Sequence, residues 1–311
     1  MAGDRRAPDV AREYVTRVLK HRTNIFRHPS TPQGRSEYIQ DDNYWVVPDR
    51  NSFKLHQQNG DKMNKELAVI IMAAGKGTRM KRDDIPKVSN LVLGRPLIQY
   101  VVDQAKSISA SRIICIVGHM QEKVRDDLRD EPVLFAEQLE QLGTAHAVQQ
   151  AAHLMEDFDG DVIVLSGDVP SLRGSTLASV LEKHRRENYA ATVLTALAPD
   201  PFGYGRVIRT QDDLFDFVVE HKDANAEQLQ VDEINSGIYV FDSKLLFAKL
   251  SEINNNNAQG EYYLPDVLPI LKDMGHKVGV EICETFSEIQ GINTVDELKA
   301  VEKKILASQE D

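Results

Sequence analysis

Residues 67–73 (LAVIIMA) form an unbroken apolar run. A strand with one wet face alternates apolar and polar residues. A run without alternation needs cover on both faces. This confines the chain to layered folds with a strand buried at the centre, and the following residues supply the layers. Residues 96–108 read as a helix, with Pro96 in its first turn and Leu97, Ile98, Val101, Val102 and Ala105 on one side. Strands at 112–117, 133–136 and 161–165 alternate with helices at 122–129 and 145–155. Such alternation implies an α/β fold: a Rossmann-like, mostly parallel sheet with helices on both faces, built from right-handed crossovers. Strands at 191–198, 205–209, 214–220 and 234–241 follow without full helices between most of them. They are expected to extend the sheet, partly antiparallel, and to wall one side of a pocket. Helices return at 244–250, 264–274 and 295–306. No internal repeat is visible, and in particular no hexapeptide repeat of the left-handed β-helix kind.

The first 66 residues differ from the rest: they are polar, carry Pro29, Pro32 and Pro48, and hold the only tryptophan, Trp45. One amphipathic helix fits 10–26, and 57–65 reads as a linker. The expected organisation is therefore an N-terminal extension at 1–66, packing on the main domain or a neighbouring subunit, followed by one domain at 67–311. The formal net charge of −11 disfavours a general nucleic-acid binder, which needs a basic face. It leaves room for a nucleotide site, because a few cations and backbone N–H groups hold a phosphate inside an acidic protein. The two cysteines, Cys115 and Cys283, sit in apolar runs and read as buried thiols. The first residues are charged where a secretory signal is apolar, and no run reaches the ~18 apolar residues of a membrane span. A cytoplasmic protein without membrane partners is the expectation.

The first strand runs into Ala73-Ala74-Gly75-Lys76-Gly77-Thr78-Arg79-Met80. Glycines after a first strand let backbone N–H groups approach phosphate oxygens, and Lys76 and Arg79 add positive charge. The spacing is neither a Walker loop nor G-x-G-x-x-G. Two glycines and two cations at a strand end favour phosphate binding over a plain strand–helix turn. Lys87, in the following loop, is placed to reach the same phosphate. Asp168 ends the fourth strand between Gly167 and Pro170, where ligands of open α/β sheets sit. A carboxylate there suits Mg²⁺, which binds through one or two carboxylates plus substrate phosphates. The alternative is an Asp capping the next helix, which Pro170 disfavours. In 138–146 (QLEQLGTAH), Thr144 can cap a helix and Gly143 allows close backbone approach. Gly203-Tyr204-Gly205-Arg206, Glu220-His221-Lys222-Asp223, Asn235-Ser236-Gly237 and Asn293 are polar or glycine positions beside strands, as sugar recognition requires. The histidines lack metal-ligand spacing.

Together these segments resemble the sugar-nucleotide pyrophosphorylases. More closely, they are similar to the uridylyltransferase half of the bacterial bifunctional N-acetylglucosamine-1-phosphate uridyltransferase/glucosamine-1-phosphate acetyltransferases. The matching stretches are IMAAGKGTRM, PKV, EQLGTAHA, LSGDVP, GYGR, VVEHKDA, EINSGIYVFD, NNNNAQGEYYLPDV and QGIN, in family order over about 67–300. The resemblance implies that Met72, Ala73, Ala74, Gly75, Lys76, Gly77 and Arg79 form the nucleotide-phosphate turn, with Arg79 and Lys87 catalytic. It implies that Gln138, Gly143 and Thr144 hold the uracil, that Gly205, Glu220 and Asn235 hold the sugar and its ribose neighbour, and that Asp168 and Asn293 bind Mg²⁺. Ser166 stands where those bacterial enzymes commonly carry an aromatic, the spacer from Arg79 to Lys87 is one residue longer, and nothing corresponds to the acetyltransferase repeats, so no acetyl transfer is expected.

The implied reaction is Mg²⁺-dependent uridylyl transfer from UTP to N-acetylglucosamine 1-phosphate, by an enzyme that can form homo-oligomers. One rival is a uridylyl- or thymidylyltransferase for another hexose 1-phosphate. Glucose-type relatives usually carry G-G-x-G-[ST]-R-L followed by K-P, whereas this chain has Ala-Ala-Gly-Lys-Gly-Thr-Arg-Met and Pro-Lys. The other is a non-catalytic sugar-nucleotide-sensing subunit, against which the presence of Arg79, Lys87, Asp168 and Asn293 speaks.

Overall fold

A computed structural model describes residues 65–75, 77, 80 and 84–307. The extension expected at 1–66 lies outside the described residues apart from Lys65 and Glu66, and so do Lys76 and Arg79. In chain order the strands are β1 (Glu66–Met72), β2 (Leu91–Val92), β3 (Arg95–Pro96), β4 (Arg112–Val117), β5 (Leu134–Glu137), β6 (Gly160–Ser166), β7 (Ala191–Leu197), β8 (Arg206–Arg209), β9 (Phe215–Val219), β10 (Glu233–Asp242) and β11 (Val278–Ile282). The helices are α1 (Leu97–Ser107), α2 (Gln121–Asp127), α3 (Thr144–Gln149), α4 (Gly174–Arg186), α5 (Ser243–Lys249), α6 (Val267–Asp273), α7 (Phe286–Ile289) and α8 (Val295–Ala307).

The apolar run of β1 lies at the centre, paired in parallel with β4 on one side and β6 on the other. The main path of the sheet is β11-β7-β10-β6-β1-β4-β5, and β8 and β9 branch from the start of β10 to complete nine strands. Only β10 runs against its neighbours in that path, pairing antiparallel with both β6 and β7. Alternate residues of β1 feed two cores. Val69 and Ile71 pack with α1, α2 and α4 on one face, and Ala68 and Ile70 pack with α3, α5 and α6 on the other. Ala68, Val69, Ile70 and Ile71 are wholly buried. Each buried Val or Ile stabilises the fold by about 1.5–3 kcal/mol, which explains why no polar residue interrupts the strand. The described residues thus form the expected Rossmann-like α/β sheet with added antiparallel strands.

From β1 the chain builds outward through β4 to β5, then crosses back to place β6 on the other flank of β1. The order reverses between β1 and β6, and in such sheets the crevice beyond the carboxyl ends of those strands receives the ligand.

Some elements depart from the sequence expectation, among them the short helix α7 (Phe286–Ile289), which the sequence did not signal. The helix expected over 145–155 ends at Gln149, because Gln150, Ala151 and Leu154 donate their N–H groups to Ala147, Val148 and Ala151 in tight three-residue turns. The hairpin of β2 and β3 turns on Leu93 and Gly94, both with positive φ (49° and 79°). Strand β11 closes the far edge in parallel with β7. Both cysteines are buried and free, and burial pushes the Cys115 thiol up to about 12.

Candidate active site

A cavity of about 220 Å³ opens at the β1/β6 crevice, lined by Met72, Ala73, Gly75, Gly77, Lys87, Val88, Ser166, Asp168 and Asn293. Its floor is the turn after β1. Ala73 donates its N–H to Ile116 O (2.8 Å), which anchors the turn to β4, and Ala74 points into the opposite core. Gly77 has φ of +63°, and a Cβ there would stand 2.5 Å from Lys87 Cβ. The glycine is thus required both for the backbone and for the close approach of the Lys87 stem. Lys87 is held in turn by Asn90, a buried residue whose Nδ2 donates to Lys87 O (2.8 Å).

Residues 81 and 206 positions away from Lys87 complete the cluster. Lys87 Nζ donates to Asp168 Oδ2 and to Asn293 Oδ1, the latter at 2.7 Å. Asp168 follows β6 directly. Gly167 N–H donates to Met72 O (3.0 Å), and Asp168 O accepts from Ile292 N–H (2.9 Å), so the carboxylate is fixed between two segments. The second carboxylate oxygen, Oδ1, accepts a hydrogen bond from Ser166 Oγ at 2.6 Å. Gly291 lies close beneath it, because a Cβ there would sit 3.1 Å from Asp168 Oδ2.

Asn293 is aimed by the start of α8. Thr294 and Glu297 form a capping box: Glu297 N–H donates to Thr294 Oγ1 (3.2 Å), and Glu297 Oε2 accepts from the N–H groups of Asn293 (2.6 Å) and Thr294 (2.9 Å). Asn293 Nδ2 donates to Gly291 O (3.1 Å), which turns Oδ1 toward Lys87. The T-x-x-E signature was present in the sequence and marks this residue's support. The sequence reading gave Ser166 no positioning role; its signal was a hydroxyl two residues before the carboxylate.

Asp168 Oδ2 and Asn293 Oδ1 converge on one point, where the Lys87 ammonium sits. A carboxylate and an amide oxygen are hard donors that suit Mg²⁺, with phosphates and water completing its shell. Among the described residues no group of three or more His, Cys, Asp and Glu could hold a metal ion.

Two further groups lie at the same carboxyl edge of the sheet. Gln138 follows β5, is buried, and donates Nε2 to Gly143 O (3.1 Å) while meeting His146 Nδ1 at 3.0 Å. Gly118 lets the two segments touch, since a Cβ there would stand 2.6 Å from Gln138 O and 2.9 Å from Ala74 Cβ. Gly143, with φ of +116°, packs against the Tyr262 backbone. Thr144 does not cap α3 with its side chain, as the sequence suggested. Gly143 occupies the cap, and Thr144 Oγ1 accepts from Leu264 N–H at 2.9 Å, tying the segment to the loop before α6.

The second group surrounds the start of β10. Gly205 O accepts from Asn235 N–H (2.9 Å), and a Cβ at Gly205 would meet Glu220 Oε1 at 2.9 Å. A bulge between Asn235 and Ile238 turns the Asn235 amide so that Nδ2 donates to Tyr239 OH (2.7 Å) and Oδ1 accepts from Gly237 N–H (3.2 Å). Burial, then the neighbouring Asp223, Asp266 and Glu261, push the Glu220 carboxyl up to about 7. Burial and Asp223 likewise raise Asp266 to about 6. The Gly143–Thr144 and Gly205–Glu220–Asn235 groups do not line the cavity around Lys87.

Residues 68–285 match the family model described as Nucleotidyl transferase. The chain belongs to the nucleotidyl transferase family. The Bifunctional protein GlmU of Bacillus cereus (strain G9842) is 46% identical to this nucleotidyl transferase over 231 residues, 74% of this chain and 50% of that protein. The Bifunctional protein GlmU of Bacillus thuringiensis (strain Al Hakam) matches at the same identity and coverage. The chain thus spans about half the length of the curated relatives it matches. A crystal structure of UDP-glucose pyrophosphorylase complexed with UDP-glucose superposes with a TM-score of 0.60 at 18% identity, covering 77% of this chain and 99% of that one, a likeness of fold. No helix among the described residues is long and apolar enough to cross a membrane.

Proposed function

We propose that this nucleotidyl transferase joins UTP to N-acetylglucosamine 1-phosphate, giving UDP-N-acetylglucosamine and pyrophosphate. The meeting of Lys87, Asp168 and Asn293 beside the glycine turn, at the crevice where the strand order reverses, carries this reading. The motif resemblance to bacterial N-acetylglucosamine-1-phosphate uridyltransferases supports the choice of base and sugar.

In this reading an oxygen of the sugar phosphate attacks the α-phosphorus of UTP in line. The new P–O bond forms as the bond to the β-phosphate oxygen breaks, and pyrophosphate leaves with that electron pair. The protein does little covalent work, and catalysis is positioning plus neutralisation of phosphate charge. Asp168 and Asn293 would hold Mg²⁺, which when bound supplies charge compensation between the reacting phosphates. The backbone of Met72–Gly77 and the side chain of Arg79 cradle the triphosphate, and Lys87 contacts the phosphates near the attack. Gln138, Gly143 and Thr144 orient the uracil. Gly205, Glu220 and Asn235 face the sugar, where a carboxyl that titrates near 7 both donates to and accepts from hydroxyls. We propose a cytoplasmic enzyme acting on small molecules.

The test is Asp168→Ala. Loss of a group aimed at developing charge typically costs roughly 10²–10³ in rate. Turnover falling by at least that much, with unchanged circular dichroism, supports the assignment; near-normal turnover refutes it.

A further inference from the structure

Lys87 does more in this arrangement than wait for a phosphate. Its ammonium occupies the one point on which Asp168 Oδ2 and Asn293 Oδ1 converge. Among the described residues neither oxygen has another hydrogen-bond partner. Asp168 Oδ1 is taken by Ser166, and the Asn293 amide nitrogen is committed to Gly291 O. The Lys87 and Asp168 side chains are only 15% and 13% exposed, so water does little of the screening. A divalent cation would need the same two oxygens at about 2.0–2.1 Å. An ammonium hydrogen-bonded to both excludes it, sterically and by like charge.

We propose that Lys87 is a tethered cation that closes the metal site of the free protein, so that a divalent cation enters only with a nucleotide whose phosphates draw Lys87 away. The stem lies against Gly77 at its base, so Lys87 stands beside the turn that follows β1. One positive charge thereby serves two sites in succession: it neutralises Asp168 when no metal is present and a phosphate when one is. The inference rests on the metal and phosphate roles proposed above. By linkage, nucleotide and metal must tighten one another by the same factor.

The experiment uses the full chain and Mn²⁺ as probe, followed by water proton relaxation, which separates protein-bound Mn²⁺ from free and UTP-bound ion. Without nucleotide, the wild-type protein is expected to bind Mn²⁺ at least tenfold more weakly than Lys87→Met, and the gap is expected to persist in 0.5 M salt. Exposed charges there are screened within about 3–10 Å, so a through-space effect would shrink. With UTP and no sugar phosphate, wild-type affinity should rise by more than tenfold and that of Lys87→Met by much less. Equal Mn²⁺ binding by the two proteins without nucleotide overturns the gate while leaving the metal site standing. Absence of bound Mn²⁺ in either protein even with UTP overturns the metal site, and the gate with it. If Lys87→Met fails to fold, the wild-type measurement decides alone: an affinity for Mn²⁺ unchanged by UTP overturns the proposal.

Discussion

Replacing Gly77 by alanine perturbs the site without touching a charged group. The residue sits at φ of +63°, where an alanine costs roughly 1–2 kcal/mol. The added methyl would lie 2.5 Å from Lys87 Cβ, whereas carbon contacts settle at about 3.5–4.0 Å. The Lys87 stem therefore retreats by about 1 Å, and the ammonium that stood 2.7 Å from Asn293 Oδ1 goes with it. A displacement of about 1 Å in a positioning group costs ~10²-fold in rate. The expected result is a kcat/KM for pyrophosphate release lowered by about 10²-fold and a Tm lowered by roughly 2–8 °C, the strain energy spread over a domain of this size. Steady-state kinetics and scanning calorimetry read the two quantities. Gly75→Ala provides the contrast in stability. A Cβ there meets nothing within 4 Å among the described residues and φ lies outside the left-handed region, so its Tm should match the wild type. A Gly77→Ala protein with unchanged Tm and kcat/KM within about threefold of wild type would refute the reasoning, since a 1 Å shift predicts far more.

Three other outcomes follow from the geometry. Gly143→Ala places a Cβ 2.5 Å from Tyr262 O at a φ of +116°, a backbone clash that no rotamer relieves; it should cost about 1–3 kcal/mol in urea denaturation and raise the KM for UTP. Ser166→Ala frees Asp168 Oδ1 and should weaken Mn²⁺ binding in the presence of UTP by about 10–100-fold, with threonine restoring it. The Glu220 carboxyl, raised from 4.5 to about 7, binds its proton more tightly in the folded protein than in the unfolded chain. Its contribution is fully present below pH 4.5 and is lost as pH rises through about 7. Glu220→Gln should therefore be the more stable protein at pH 8, by on the order of 3 kcal/mol, with the difference vanishing near pH 4; equal stability of the two at pH 8 contradicts this.

The central layers of the fold were legible because burial on both faces leaves a direct trace. The apolar run of β1 and the one-sided helix α1 follow from which residues avoid water. The hairpin of β2 and β3 left no such trace, being two residues per strand and turning on Leu93, where asparagine or aspartate would be the usual signal. The residues themselves were readable as separate motifs, the pairing of Asp168 with Asn293 came only through the family resemblance, and the seat of the Lys87 ammonium on both was not legible. Those contacts span 81 and 206 residues and are made by the strand order rather than by local spacing. Thr144 shows the same limit: a hydroxyl at a helix start reads as a cap, but Leu264, 120 residues on, claims it. The raised carboxyl of Glu220 comes first from burial and then from Asp223, Asp266 and Glu261, the last two brought near by the segment before α6.

The central claim is tested most directly by mixing the purified protein with UTP, Mg²⁺ and N-acetylglucosamine 1-phosphate and following pyrophosphate release. Parallel reactions with glucose 1-phosphate and N-acetylgalactosamine 1-phosphate, and one with EDTA, complete the set. The account predicts fast release with N-acetylglucosamine 1-phosphate, abolished by EDTA and much slower with the other two sugars. Release only with another sugar would contradict the proposed substrate, and no release with any sugar from a folded protein that still binds UDP-sugars would contradict the proposed catalysis.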